Sequence, residues 1–269
     1  MVVDHIAEFV PGTPIWMHWI GRLASPLFIL LVCWSCEFTG DRKRYLTRLY
    51  CAGVLMSLIQ GILGIDNNIF TCLFQIALII VLLSANTMKH KIRNITAYLS
   101  YQIIVGALLW LIAPYSPDAI LRIIVAVFGS AIGVEGGIFY VVLGVALWAV
   151  KDSPIALSAA FVGLNALLSL AFSSIGAQIT WYAQHASLYV LGPQGPNIVN
   201  SLLDMFGISM FSMGQSPLTM NYQWMMIFAL PFMLLYNKRR GRNVKWFFYA
   251  FYPSHIVILY CIGQAMRLL

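Results

Sequence analysis

Long apolar stretches, separated by short polar connections, run along almost the whole chain. Most of them approach or exceed the ~20 residues that a helix needs to cross a bilayer, and none alternates like a barrel strand. The pattern predicts an all-α, polytopic membrane helix bundle in one domain, residues 1–269. About nine membrane-crossing segments are expected, near residues 1–10, 15–38, 47–64, 68–86, 95–114, 120–150, 155–175, 222–236 and 246–266.

Segment 176–221 does not fit this pattern. It contains no Lys or Arg, yet it is too rich in aromatic and apolar residues for a loop exposed to water. A re-entrant or interfacial layer is expected, with two short helices around Gly192–Pro196. Such a layer covers a pocket or simply packs at the interface, and the sequence leaves both interpretations open.

Composition and charge agree with a protein solvated by lipid. Hydrophobic residues make up 61% of the chain and charged residues 9%, whereas a soluble domain carries roughly 25% charged residues. The net charge of +7 comes mainly from four basic stretches in alternate connections, near residues 42–48, 89–93, 151 and 238–245. The positive-inside rule places these connections in the cytoplasm. We expect a cytoplasmic (inner) membrane protein with its N-terminus in the cytoplasm, its C-terminus outside and no nucleic-acid partner.

Ionisable residues in the first hairpin form the main candidate site. Asp4, His5 and Arg22 lie at similar depth, because His5 and Arg22 are both about 9–12 Å from the turn Pro11–Pro14. Charged groups inside a membrane are costly, so three of them together indicate function. A helix turns about 100° per residue, so Asp4 and His5 face different directions. A buried structural ion pair is the alternative.

Other polar residues are weaker candidates. Glu37 ends an apolar helix just before a basic stretch, where a helix cap or an ion pair would also explain it. Glu135 is expected in the middle of a span, and His255 lies inside the last one. His18, with Trp16 and Trp19 beside it, is assigned to the aromatic belt at the membrane surface. The five cysteines are expected in the core, and no metal site is predicted.

Several motifs in a fixed order resemble the TraX family of membrane proteins, which is named for acetylation of conjugative pilin. The resemblance covers most of the chain, and Ser25 replaces the family's usual Phe. The motifs are Asp4-His5, Gly21-Arg22-Leu23-Ala24-Ser25-Pro26-Leu27-Phe28, Glu37 with Thr39, Arg44-Tyr45-Leu46-Thr47-Arg48-Leu49, Asn68-Ile69-Phe70-Thr71, Leu235-Tyr236-Asn237-Lys238-Arg239-Arg240-Gly241 and Phe248-Tyr249-Ala250-Phe251-Tyr252-Pro253-Ser254-His255.

The resemblance implies a membrane acetyltransferase. The family is similar to multi-span acyltransferases of the lysosomal heparan-glucosaminide type, which use cytosolic acetyl-CoA and an intramembrane histidine. By this resemblance His5 is the general base, Asp4 tunes the site and Arg22 holds the thioester or the oxyanion. The acceptor is a peptide N-terminus, a glycan or a small molecule with an amine or hydroxyl. Substrate or cofactor binding is expected at Glu37, Arg44, Asn68, Glu135, Asn237 and His255.

Two other functions remain compatible with the residues. Membrane Asp, Glu and His side chains also form relays in proton-coupled transporters, although no inverted repeat is visible here. A structural or assembly subunit would tolerate the loss of His5. Binding of acetyl-CoA separates the acetyltransferase from both alternatives. Oligomeric state has no signal in the sequence.

Overall fold

The computed structural model describes residues 1–239 and 244–268, which are 79% helical and contain no strand. Arg240 and Arg242 of the predicted basic stretch lie outside these residues. The α-helices are α1 Val2–Phe9, α2 Trp16–Gly21, α3 Ala24–Phe38, α4 Arg42–Leu63, α5 Ile69–Leu83, α6 Met88–Ile112, α7 Asp118–Val127, α8 Gly137–Val150, α9 Pro154–Phe172, α10 Ser174–Leu191, α11 Gly195–Met205, α12 Leu230–Leu234 and α13 Lys245–Leu268. Short 3-10 helices are Ala113–Tyr115, Gly192–Gln194, Met210–Ser212 and Tyr222–Ala229.

Helical segments of the described chain are long and apolar enough to indicate a membrane protein. Five qualify as spans: Trp16–Phe38, Arg42–Leu63, Met88–Tyr115, Pro154–Phe172 and Trp246–Leu268. Three shorter apolar helical segments are Ile69–Leu83, Gly137–Val150 and Tyr222–Leu234. The all-helical prediction is confirmed, whereas the count of nine crossings is not. Only 11% of the most apolar part of the span Met88–Tyr115 is buried, which suits a helix surrounded by lipid.

Two helices begin earlier than the apolar pattern predicts, because polar residues cap them. The Asp41 carboxylate accepts the Arg44 N–H at 2.9 Å at the start of α4. The Thr87 hydroxyl accepts the His90 N–H at 3.3 Å at the start of α6. Such caps satisfy N–H groups that have no partner within the helix. The basic stretches after Asp41 and Thr87 therefore lie in the first turns of helices.

The predicted single helix 120–150 is wrong. The chain leaves the helical path after Val127 and resumes it at Gly137. Gly129, Gly133 and Gly136 adopt φ angles of 56°, 83° and 74° in this break. Glycine enters this left-handed region without the steric cost that a side chain meets there. Glu135 consequently lies in a loop and not in the middle of a membrane helix.

The chain forms two compact units, each with its own packing. The first unit comprises residues Met1–Phe28, Asp152–Asp204 and Ile208–Leu269. In it α1 packs on α2 and α13, while α9 packs on α10 and on the 3-10 helix Tyr222–Ala229. The second unit comprises Ile29–Lys151 with Met205–Gly207, and α5 contacts α4, α6 and α8 in its core. The single-domain assignment stays a prediction.

Segment 176–221 contains two helices that meet at Gly192–Gln194, as expected, although α10 is longer than a short helix at 18 residues. Tyr189 and Phe211 are 88% and 90% exposed, so this segment presents aromatic side chains outward. Tyr189 combines an apolar ring with a polar hydroxyl, and such residues favour the membrane interface. The placement of this layer as a re-entrant or interfacial layer of the membrane stays a prediction.

Candidate functional site

A tight hairpin brings the start of the chain against α2. The turn after α1 uses Gly12 at φ 77°, and the Thr13 hydroxyl donates to the Val10 carbonyl at 3.1 Å. Gly21 allows the close approach of the two helices, because a Cβ atom there would overlap the Asp4 side chain. The predicted meeting of Asp4 and Arg22 across the hairpin is confirmed.

Asp4 is held from two sides. The Arg22 guanidinium donates through Nη2 to Asp4 Oδ2 at 2.7 Å, and His18 Nδ1 lies 2.9 Å from Asp4 Oδ1. A carboxylate only accepts, so His18 carries its hydrogen on Nδ1. The Tyr222 ring stacks on His18 at 5.3 Å and lies 5.4 Å from the Arg22 guanidinium carbon. The cluster is thus a carboxylate fixed by two donors and covered by an aromatic ring.

His5 faces a second histidine rather than Asp4. His5 Nδ1 lies 2.8 Å from His255 Nε2, and His255 Nδ1 lies 2.8 Å from the Phe251 carbonyl oxygen. A carbonyl oxygen only accepts, so His255 has its hydrogen on Nδ1 and presents a lone pair at Nε2. In the neutral pair His5 must then donate through Nδ1. The unprotonated nitrogen of His5 is therefore Nε2.

The histidine pair is enclosed. His5 is 4% and His255 8% exposed, and their rings stack with centroids 5.0 Å apart. Tyr252 meets both rings edge-on, at 6.0 Å and 5.7 Å between centroids. α1 packs so closely on α13 that a Cβ atom on Gly263 would overlap the Phe9 carbonyl oxygen. This packing keeps the two rings together.

The partners of these groups were only partly predictable from the sequence. Asp4 binds His18 and Arg22, while His255 holds His5. The spacing of four residues between His18 and Arg22 places both on one helix face, and the position of His18 in an aromatic belt stays a prediction. Tyr222 had no local signal, since it comes from a distant part of the chain. The different facing of Asp4 and His5 is confirmed.

Three predicted binding residues have partners within the protein. Glu37 accepts the Trp148 indole N–H at 3.2 Å and lies 3.5 Å from Lys151 Nζ. Arg44 pairs with Asp41 at 3.0 Å, and its side chain is 82% exposed. Asn237 accepts the Arg239 N–H at 3.0 Å. The Glu37 contacts join α3 to the end of α8, the Arg44 pair lies in the first turn of α4, and the Asn237 bond lies in a loop. Ligand binding by these three residues stays a prediction.

Asn68 and Glu135, far apart in sequence, meet at the start of α5. The Glu135 carboxylate accepts the Asn68 backbone N–H at 2.7 Å and so occupies the N-terminus of that helix. Both residues line a cavity of about 370 Å³ within the second unit. This contact was not predicted, because Glu135 was expected in the middle of a membrane-spanning helix. The glycines around Glu135 were the available sequence signal for a loop.

Nothing in the described residues groups three or more His, Cys, Asp or Glu side chains as a metal site. The chemistry available is that of histidine, carboxylate and guanidinium. In the Asp4 cluster a carboxylate and a guanidinium hold each other in place, while the His5–His255 pair has one unprotonated nitrogen, Nε2 of His5. Together they suit proton transfer beside a charged or polar ligand.

Comparison with known proteins agrees with the motifs. No curated protein and no solved structure matches the chain. A family model described as "TraX protein" matches residues 1–263 of the 269-residue chain. That match includes both histidines of the pair and the whole Asp4 cluster. The protein therefore belongs to the TraX family.

Proposed function

We propose that the protein is an integral membrane acetyltransferase, which moves an acetyl group from cytosolic acetyl-CoA to an amine or hydroxyl acceptor. The observation that carries this proposal is the buried His5–His255 hydrogen bond, which ends in an unprotonated His5 Nε2. A neutral imidazole is suited to remove a proton from an attacking amine or hydroxyl near neutral pH. Membership of the TraX family is compatible with a transferase.

The proposed reaction is a direct transfer. The acceptor nitrogen or oxygen attacks the thioester carbonyl carbon, and its proton passes to His5 Nε2. The carbon–sulfur bond then breaks, and the CoA thiolate takes the proton from His5. The new amide or ester leaves, and the neutral histidine pair is restored. General base catalysis of this kind contributes about 10²–10⁴-fold to a rate.

His255 acts as the positioning residue in this scheme. Its Nε2 accepts from His5 Nδ1, which fixes the tautomer and the ring plane of His5. When His5 takes a proton at Nε2, this hydrogen bond becomes charge-assisted and therefore stronger. The backbone carbonyl of Phe251 in turn fixes His255. The pair stabilises the protonated base at the moment when it forms.

Arg22 would stabilise negative charge in the transition state. It remains a cation at any working pH, and Asp4 and the Tyr222 ring hold it in place. A fixed cation near the thioester oxygen lowers the energy of the oxyanion without reorganisation. His18 and Asp4 would serve mainly to hold Arg22 rather than to exchange protons.

The orientation of the protein belongs to the same proposal. We place it in the cytoplasmic membrane with its N-terminus in the cytoplasm and its C-terminus outside. The alternation of basic connections supports this assignment through the positive-inside rule. The CoA phosphates would then meet basic residues on the cytoplasmic side.

The test follows labelled acetyl-CoA with purified protein in liposomes, supplied with a membrane and cytosol extract as a source of acceptor. We expect release of CoA thiol and a labelled product, both reduced at least 10²-fold in His5→Ala. His90→Ala, which removes an exposed histidine at the start of α6, should retain full activity. A folded protein that neither binds acetyl-CoA nor releases thiol would contradict the proposal and favour a proton-coupled transporter.

A further inference from the structure

The connection between α4 and α5 lies unusually deep beside a helix that is long enough to cross a bilayer. α4 has 22 residues and extends about 33 Å, whereas the hydrocarbon layer is about 30 Å thick. The helix is capped at Gly64, and α5 begins at Ile69. Residues 65–68 between them have no regular structure and include three polar side chains.

Two contacts define the level at which α5 begins. The Asn68 side-chain amide donates to the Gly53 carbonyl at 3.0 Å, and a Cβ atom on Gly53 would lie 3.2 Å from Thr71 Cγ2. Gly53 lies eleven residues before Gly64, which is about 16 Å along the helix axis. Residues 65–68 therefore descend from the end of α4 to its middle, and α5 begins near the centre of the membrane that α4 would cross.

The break between α7 and α8 lies at a similar level. A Cβ atom on Gly61 would lie 3.4 Å from the Ala119 carbonyl oxygen, so α7 starts beside the last turn of α4. The Tyr50 hydroxyl donates to the Val127 carbonyl at 2.7 Å, so α7 ends beside the middle of α4. The glycine loop 128–136 follows, and it too is non-helical backbone near the centre of the membrane.

A polar cavity of about 370 Å³ lies where these two breaks meet. Non-helical backbone at membrane depth is tolerated only where it is buried in protein or lines a water-filled cavity. At ~30 Å³ for each molecule, this cavity holds on the order of ten waters. Its polar lining residues are Ser57, Gln60, Asp66, Asn68, Thr71, Arg122 and Glu135.

The opening of the cavity is marked by an exposed ion pair. Arg122 Nη2 donates to Asp66 Oδ1 at 2.7 Å, and the Asp66 side chain is 82% exposed. Asp66 belongs to the descending segment, so its carboxylate lies below the end of α4 and not beyond it. Charged side chains at such depth face a water-filled cavity rather than lipid, because lipid cannot solvate them.

We propose that this cavity is an aqueous vestibule, open at the Asp66 end of α4, which admits water and small hydrophilic molecules to the middle of the bilayer. The opening lies at the end of α4 opposite to its basic residues 42–48. The orientation proposed above places it on the outer side of the membrane. The vestibule itself does not depend on acetyl transfer.

The test measures which side chains a hydrophilic thiol reagent can reach. The full-length protein carries Cys51→Ser and Cys261→Ser, because the other three cysteines are buried. A cysteine is then introduced by Thr71→Cys, at the inner end of the cavity. The membrane-impermeant reagent 2-(trimethylammonium)ethyl methanethiosulfonate is added to intact cells or to inverted membrane vesicles, and intact-mass spectrometry of the purified protein counts the adducts.

We expect Thr71→Cys to be modified in intact cells and not in inverted vesicles. Leu55→Cys is the matched control, because Leu55 is 53% exposed and lies two residues from Gly53, but does not line the cavity. A thiol in lipid forms no reactive thiolate, so Leu55→Cys should react about tenfold more slowly or not at all. Val125→Cys, in the cavity wall formed by α7, should behave like Thr71→Cys.

Asp66→Cys at the opening identifies the side on which the vestibule opens, so an error in the proposed orientation is detected separately. Modification of Thr71→Cys and Val125→Cys from that same side supports the vestibule. Both variants folded by circular dichroism yet unmodified, or modified no faster than Leu55→Cys, would overturn it. Modification only from the side opposite to Asp66→Cys would overturn it as well. None of these measurements requires acetyl-CoA.

Discussion

The His5–His255 pair of the first unit and the Asn68 network of the second are both buried and polar, but they differ in how their hydrogen bonds are connected. The histidine pair is a single line of two bonds that runs from His5 to His255 and on to the Phe251 carbonyl. The Asn68 amide nitrogen has two hydrogens and lies within hydrogen-bond distance of three acceptors on α4. A linear chain of hydrogen-bonded imidazoles can relay a proton, whereas a branched amide network mainly fixes the position of the helices that it joins.

These two arrangements suit different roles, proton transfer in the histidine pair and structural stability in the Asn68 network. An imidazole can take up and release a proton, so a hydrogen-bonded pair of them is suited to proton transfer. A side-chain amide does not ionise near neutral pH, and its loss removes hydrogen bonds from buried acceptors. Substitutions in the first region should change rates, and substitutions in the second should change folding.

The largest expected effect is a loss of stability in Asn68→Ala. The Asn68 amide supplies two N–H donors to buried acceptors of α4, and the loss of each costs about 1–3 kcal/mol, so destabilisation of roughly 3 kcal/mol is expected. Thermal unfolding in detergent, followed by circular dichroism, measures it. Asn237→Ala, in an exposed loop, should stay within about 0.5 kcal/mol of wild type. Equal melting temperatures for both variants would show that the network contributes little.

The next effect is on the rate of acetyl transfer in His255→Phe. This change keeps an aromatic ring against Phe251 and Tyr252 but removes the acceptor for His5 Nδ1. Misplacement of a catalytic group costs about 10²-fold, so kcat should fall by that order. His255→Gln offers an amide oxygen in place of Nε2 and should recover part of the rate. Unchanged kcat in His255→Phe would remove the positioning role.

The smallest effect is expected from Gly263→Ala. A methyl group would overlap the Phe9 carbonyl oxygen and push α1 away from α13, at a cost of about 1–3 kcal/mol. Gly163→Ala is the matched control, because its Cβ atom would meet nothing within 4 Å in α9. We expect Gly263→Ala to melt at a lower temperature and Gly163→Ala to be neutral or stabilised. The reverse order would show that α1 and α13 do not pack tightly.

Local patterns in the sequence predicted part of this arrangement and missed the rest for identifiable reasons. Counting residues from the shared turn was sufficient to predict that Asp4 and Arg22 lie at the same level, since the rise per residue in a helix is constant. The partner of His5 was not predictable, because His255 comes from the last helix and no local spacing links the two. Glu135 was misplaced because the apolar character of 120–150 outweighed its glycines.

The span Met88–Tyr115 has a further consequence for the bilayer itself. Its 28 residues extend about 42 Å, whereas the hydrocarbon layer is only about 30 Å thick. The surplus of about 12 Å corresponds to roughly eight residues, and the first eight residues carry Lys89, Lys91 and Arg93. With these cations among the lipid headgroups, the apolar remainder matches the membrane thickness without a steep tilt, so hydrophobic mismatch is avoided.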